Sequence, residues 1–446
     1  MASNGEPASV GQPPIRLRGS EERSGGGRSE AEMRPSSSGE EPSSRQISDL
    51  ISSDGYRLIV TRGLRGFGDG LIAVSLSAYL SNQLGYSGTR IGVVVTGMLL
   101  GSALLTLLTG TAASGFSRRS LLRAGALLAI ATGLIFATTT SFVLLLIAGV
   151  IGTVNPTSGD VSVFQPIEQS LLPNTTSAAR RSSVFARYTF AGSFAAAAGA
   201  LCAGLPKRLG WAPRSVFLVY ATVAALGFAV YVSLTPAIEG SSLVKPTALR
   251  ESKRIVYRLA ALFSLDSFGG GFVPQSIVAL WLFRRFDFSL SRAGLVFAGM
   301  GVLSAASGFA ATRIEKRLGP IRTMALTHMP AQVLLIAAAC MPNGTAAVVC
   351  LLGRSLLASM DVPVRNAYVM SVVVPAERAA AASVTNVPRS LASALPPLAA
   401  GWMLDHSKFG WPLICAGICK LAYDVLLLKM FDSRSTERSA GKGHSG

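Results

Sequence analysis

The chain has 446 residues, half of them apolar and only 14% charged, with 46 glycines and a mean hydropathy of +0.45. Soluble domains carry charge on roughly a quarter of their residues, so this balance marks an integral membrane protein and excludes an ordinary soluble domain. The formal charge of +18 is spread over short arginine clusters between apolar runs, the pattern of loops beside membrane spans and not of a nucleic-acid surface.

Residues 1–53, with GSEERSGGGRSE and RPSSSGEEPSSR, are rich in Gly, Ser, Pro and charge and hold no apolar signal region, so they read as a disordered cytoplasmic tail. A bilayer core takes about 20 apolar residues per helix. Breaks at Gly, Pro and Arg clusters divide the rest into twelve segments, approximately 57–82, 89–111, 119–139, 141–171, 183–205, 213–235, 255–283, 290–312, 320–341, 345–373, 379–404 and 410–431. Six fall in a unit at 54–235 and six in a unit at 255–431, joined by a basic loop at 236–254 and followed by a second disordered tail at 432–446. Lys and Arg in the short loops favour the side of the termini by about two to one, which predicts both termini in the cytoplasm.

The two units repeat each other. FGDG at 67–70 matches FGGG at 268–271, SGTRIGVVVTGM at 87–98 matches SLSRAGLVFAGM at 289–300, and SGDVSV at 158–163 matches SMDVPV at 359–364. Arg187 falls opposite Arg389, and the offset stays at 201 or 202 residues, as a duplicated six-helix unit requires. Twelve helices in two parallel halves resemble the major facilitator superfamily of secondary transporters, over about residues 57–431. GTAASGFSRR keeps Gly110, Arg118 and Arg119 of that family's G-x-x-x-D-R-x-G-R-R loop, with Ser114 at its acid and Ser117 at its second glycine; TRIEKRLGPIR keeps Arg317 and Gly319. Two family patterns are absent: Ala148 stands where proton-coupled members often carry an arginine in helix 4, and GSFAAAAGALCAGLP lacks the antiporter pattern G-P-x-x-G-G. The resemblance implies an all-α membrane fold of twelve transmembrane helices in two pseudo-symmetric halves, with helices 1, 4, 7 and 10 around a central cavity.

Ionised side chains within a bilayer are costly and mark functional sites. Asp69 in segment 1 and Asp266 at similar depth in segment 7 are therefore candidates for binding substrate or protons. Arg65, one turn before Asp69, is placed to neutralise it. Segment 10 carries Asp361 and Arg365, spaced as a helical ion pair, followed by Asn366; the equivalents in segment 4 are Asp160, Phe164 and Gln165. Asp160, Phe164 and Glu168 share one helix face, which predicts a gating salt bridge from Glu168 to Arg187, one turn into segment 5. Arg389, its counterpart in segment 11, is expected to seek Asp160 or Asp361 across the halves. Asn155-Pro156 and Pro388, Pro396 and Pro397 predict kinks, Gly97 and Gly101 close helix contact, Lys420 and Asp424 a structural pair, and Asp405 and His406 a hydrated outer end.

The five cysteines lie in apolar stretches without CxxC spacing and read as packing residues; Cys415 and Cys419 share a helix face, which leaves a thiophilic ligand such as a trivalent metalloid as an alternative. No ATP-binding pattern, metal site or cofactor motif occurs, and three histidines without a catalytic arrangement speak against an enzyme. The expectation is a monomeric, gradient-driven transporter in a plasma membrane, such as a bacterial inner membrane, whose partners are a small solute, protons and the lipid bilayer and not nucleic acid. Proton-coupled export of a toxic or amphipathic compound is the first reading. Uptake of a small organic anion on Arg365 and Arg389, and a non-transporting membrane receptor, are the alternatives.

Overall fold

The computed structural model describes residues 51–112, 116–157, 162–177, 180–239, 249–374 and 377–441. Residues 1–50 and 442–446 of the expected tails, 240–248 of the central loop, and Asp160 lie outside the described residues.

The first half runs α1 (Ser53–Ala78, continued by a π-helical turn Tyr79–Gln83), α2 (Gly88–Ala112), α3 (Arg118–Thr138), α4 (Phe142–Ile151), α5 (Phe164–Leu171), α6 (Arg181–Cys202) and α7 (Ser215–Val232). The second runs α8 (Lys253–Gly271), α9 (Gln275–Phe286), α10 (Leu290–Leu318), α11 (Pro320–Cys340), α12 (Gly344–Ala358), α13 (Asp361–Val372), α14 (Arg378–Ala394), α15 (Pro396–His406) and α16 (Trp411–Gly441). Span 4 is α4 with α5, span 7 is α8 with α9, span 10 is α12 with α13, and span 11 is α14 with α15. Among the described residues, six helical stretches are long and apolar enough to cross a membrane unaided. The remaining spans are broken or carry buried charge.

The breaks have local causes. Pro156 supplies no N–H, and the Asn155 side chain instead accepts from Thr157 N (2.9 Å) and Thr157 Oγ1 (2.6 Å), so span 4 opens beyond Gly152 and does not merely kink. Span 7, expected as one helix, parts at 272–274 before Pro274, and the two openings meet where Ser276 N donates to Pro156 O at 3.4 Å. Span 11 restarts at Pro396, a favoured first-turn position, while Pro388 stays inside α14. The last helix continues through 432–441, within the expected tail, since no proline or glycine interrupts it before Gly441.

Packing repeats the duplication. Span 1 lies on span 5 and span 3 on span 6; in the second half span 7 lies on span 11 and span 9 on span 12, while the halves meet through spans 2 and 11 and spans 5 and 8. Small residues set these crossings. A Cβ on Gly66, Gly70 or Gly199 would strike the facing backbone of spans 1 and 5, and one on Gly101 would strike Val150 O.

We call the face reached by the start of α1 and the end of α16 the terminal face, and the opposite one the far face. The largest apolar cluster crosses both halves toward the far face, joining Leu80, Val94 and Phe217 to Ile277, Trp281 and Leu404. On the terminal side the core divides: Leu58, Leu171 and Val184 belong to one cluster, and Leu259, Met324 and Leu427 to another. The two halves thus share a core at the far face and hold separate ones at the terminal face.

On the terminal side Glu377 accepts from the backbone N–H groups of Arg250 (2.7 Å), Glu251 (3.0 Å) and Ser252 (3.0 Å), tying the start of span 11 to the approach of span 7. The bonds from Arg250 and Ser252 hold its carboxyl below the usual value of 4.5. A depressed value contributes stability that is present above pH 4.5 and is lost as the pH falls through the folded-state value. Thermal unfolding in detergent should show Glu377→Gln less stable than the parent at neutral pH, with the difference vanishing in acid. At the far face Gly401 abuts the Gly88 carbonyl, where no side chain fits. Gly401→Val should lower the melting temperature, with a loss on the order of 1–3 kcal/mol for overpacking.

Candidate functional site

Thr61, Arg65 and Asp69 are spaced by four on α1 and form one stripe facing the interior of the first half. Arg65 makes no salt bridge to Asp69 and acts on it only through space, as Arg62 does. Its Nη2 donates to Glu168 Oε2 on α5 at 2.6 Å, and its guanidinium lies 4.7 Å from the Phe164 ring centre. Glu168 is completely buried and also accepts from Tyr188 Oη (2.5 Å), Thr61 Oγ1 (2.8 Å) and Tyr231 Oη (2.6 Å). One carboxylate therefore ties spans 1, 4, 5 and 6 together. The expected partner was Arg187. That residue is exposed, and its neighbour Tyr188 points inward instead, a rotation of about 100° for one helical position.

Asp69 is 5% exposed, and among the described residues no hydrogen bond or ion pair reaches it. It borders a cavity of about 30 Å³ whose wall is mostly apolar but carries Thr61, Arg65, Thr153, Ser162 and Tyr220, roomy enough for a water. Arg62, whose guanidinium lies 5.7 Å from the Tyr188 ring centre, is also buried, with Nε and Nη1 lacking acceptors.

In the second half Asp266 is the hub. Lys420 Nζ donates to its Oδ1 at 2.6 Å and Arg365 Nη1 to its Oδ2 at 3.2 Å, while His328 Nε2 stands 3.9 Å from Oδ1. Arg365 also pairs with Asp361 at 3.4 Å, as its spacing predicts. Lys420 and Asp424 do not pair with each other: Lys420 turns to Asp266, and Asp424 accepts from His328 Nδ1 at 3.0 Å. These residues come from spans 7, 9, 10 and 12.

The register of the repeat gives the two nests a common origin. Arg65 and Asp266 are 201 residues apart and occupy equivalent places on spans 1 and 7. Each pairs with span 4 or span 10 of its own half, but with the signs exchanged: arginine to glutamate in the first, aspartate to arginine in the second.

Of the other expected residues, Gln165 is half-buried with Oε1 lacking a partner. Asn366 lies on α13, with its side chain outside the described residues. Arg389 donates to Ser267 Oγ (3.2 Å) and Asn386 Oδ1 (3.4 Å), reaching span 7 of its own half and not Asp361. Cys415 and Cys419 are half-buried, and among the described residues no group of three or more His, Cys, Asp or Glu gathers as a metal site. Asp405, expected to be hydrated, is a latch at the far face. It accepts from Gly88 N (2.5 Å), Thr89 N (2.7 Å), Thr89 Oγ1 (2.7 Å) and Arg284 Nη1 (2.8 Å), capping α2 from the other half. Sequence reasoning missed His328, Gln332, Tyr188, Tyr231 and the latch. A histidine and a glutamine one turn apart in the middle of an apolar span were the available signal for the first two.

Residues 58–358 match the family model of the Major Facilitator Superfamily, about two thirds of the chain. The chain belongs to this superfamily. The facilitator is 22% identical over 411 residues to the membrane protein YJR124C of Saccharomyces cerevisiae, an alignment that covers 82% of this chain and 92% of that one. It is 26% identical over 309 residues to the MFS-type transporter YtbD of Bacillus subtilis, covering 67% and 74%. Its fold matches that of a D-xylose-proton symporter with a TM-score of 0.68 at 16% identity, over 84% and 97% of the two chains. The protein is therefore a membrane transporter of the facilitator fold.

Removing one partner of a buried ion pair costs roughly 3–5 kcal/mol, whereas replacing both by apolar groups is often near neutral. Glu168→Ala should accordingly destabilise this facilitator by about that amount in denaturant unfolding, and Arg65→Met with Glu168→Met should recover the part due to the unpaired guanidinium but not the part due to the Tyr188 and Tyr231 hydroxyls left without an acceptor.

Proposed function

We propose that this facilitator is a proton-coupled secondary transporter that exports a small toxic or amphipathic solute by alternating access. Asp69 carries the reading. An ionised carboxylate at mid-depth of a membrane, with no hydrogen-bond donor, beside a small mostly apolar cavity and offset only through space by Arg65 and Arg62, is costly, and taking up a proton removes that cost. A group that is inexpensive only when protonated, yet reachable by water, can bind a proton from one side and release it to the other.

The shared core and Asp405 latch at the far face, with the divided core at the terminal face, support a state whose path opens to the terminal side. The Lys and Arg bias of the short loops supports reading that side as the cytoplasm. The openings in spans 4 and 7, which meet through Ser276 and Pro156, lie at the interface of the repeats, where such transporters bind solute. Arg365 is neutralised by two aspartates and Arg389 is held by Ser267 and Asn386, so uptake of an anion on this pair has less support.

The test joins a genetic screen to a flux measurement. Compounds to which a deletion strain becomes hypersensitive are offered to the purified protein in liposomes containing a pH-sensitive dye. The parent should move protons when solute moves, and Asp69→Asn should exchange solute without proton movement. Solute flux indifferent to the proton gradient in the parent would overturn the coupling, and growth failure on a nutrient in place of hypersensitivity would overturn export.

A further inference from the structure

The second half contains a buried histidine that the transport reading does not use. His328 on α11 is 3% exposed and lies between two carboxylates, Asp424 of α16 and Asp266 of α8. Its Nδ1 is 3.0 Å from both oxygens of Asp424; with that carboxylate ionised, Nδ1–H is the donor and Nε2 keeps the lone pair of the neutral ring. Gln332, one turn along the same helix, sets its Nε2 at 3.0 Å from that lone pair and donates to it, while its own Oε1 is buried without a donor.

This socket suits both charge states of the ring. A half-turn of the Gln332 carboxamide replaces its N–H by its oxygen, which then accepts from a protonated Nε2. Asp424 accepts from Nδ1 in either case. Few buried positions satisfy imidazole and imidazolium with the same side chains, and an unmet polar group at either stage would cost on the order of 1–3 kcal/mol.

The charges around the ring give such a proton something to do. Facing His328 or its partners are Asp266 from α8, Lys420, Tyr423 and Asp424 from α16, Asp361 and Arg365 from α13, and Arg354 from α12, while no described hydrogen bond or ion pair joins it to α10. Among the described residues three acids face three bases, and these charges balance with the ring neutral. Lys420 Nζ and His328 Nε2 both address the same oxygen, Asp266 Oδ1, at 2.6 and 3.9 Å. A proton added at Nε2 makes the two cations compete for one oxygen, which weakens the contact that binds span 12 to span 7.

We infer that His328 is a second proton-binding site of this facilitator, one that takes and returns a proton at Nε2, uses Gln332 as a reversible donor or acceptor, and loosens Lys420 from Asp266 when it is charged. No oxidation state changes: the Nε2 lone pair becomes an N–H bond to a proton given up by hydronium, which leaves as water, and the reverse step returns the proton to water. The site is separate from Asp69, which belongs to the other half.

The chain has three histidines, and replacing His406 and His444 by glutamine leaves His328 as the sole imidazole for nitrogen-15 spectroscopy of the full-length protein in lipid. On passing from alkaline to mildly acidic buffer, the distinct signals of the two ring nitrogens of a neutral imidazole should converge to those of the imidazolium. Gln332→Leu, which removes the acceptor, should move that change toward acid by at least about one pH unit, and Gln332→Glu should move it the other way. A ring that stays neutral wherever the protein is folded, or Leu and Glu variants that titrate alike, would overturn the site. Proton flux with a permanently neutral ring defeats this inference alone. A titrating ring in a protein that moves no protons with solute defeats the coupling at Asp69 and leaves this site standing.

Discussion

No charge buried in a bilayer can be left alone, and the architecture follows from that constraint. Glu168 sits where no water reaches it and is met by a guanidinium and three hydroxyl groups from three other spans. Asp266 is met by a lysine from span 12 and an arginine from span 10. In lipid the apolar surfaces of helices gain little by leaving their surroundings, so close glycine contacts and these polar hubs specify which helices become neighbours. Among the described residues each hub draws together spans of its own half.

The contacts between halves are of another kind. Gly88, Gly92 and Gly401 bring spans 2 and 11 into backbone contact at the far face, and Asp405 closes that contact by capping α2. Such an interface has few buried charges to rearrange, whereas the interior of each half has several. The halves can therefore part or close as rigid bodies without uncovering Glu168 or Asp266, which suits a rocking motion about a fixed pair of hubs. The duplicated unit retained a charged place on spans 1 and 7, at Arg65 and Asp266, but not the partner, since Glu168 stands opposite Val369 and Arg365 opposite Phe164.

Much of the site was legible along the chain, because charge inside an apolar run is conspicuous and the repeat places it at a depth. Asp69, Glu168, Asp266, Asp361 and Arg365 are all buried, as their positions implied. Their partners were less legible. Arg187 and Tyr188 differ by one position, and only the rotation of α6 decides which turns toward Glu168. Lys420 and Asp424 had the spacing of a local pair, yet each found a stronger partner on another helix. Spacing within one helix competes with contacts between helices, and here the contacts between helices win.

The sequence by itself determined the membrane class, the twelve spans, the duplication and the depth of the intramembrane acids, because hydropathy, proline and repeat register act along the chain. The tertiary structure alone decided that Arg65 serves Glu168 and leaves Asp69 without a donor, that His328 lies between two aspartates, and that Asp405 latches the far face. Each of these joins residues far apart in the chain, and the rotation and tilt of the packed helices, which no local pattern records, bring them within hydrogen-bonding distance.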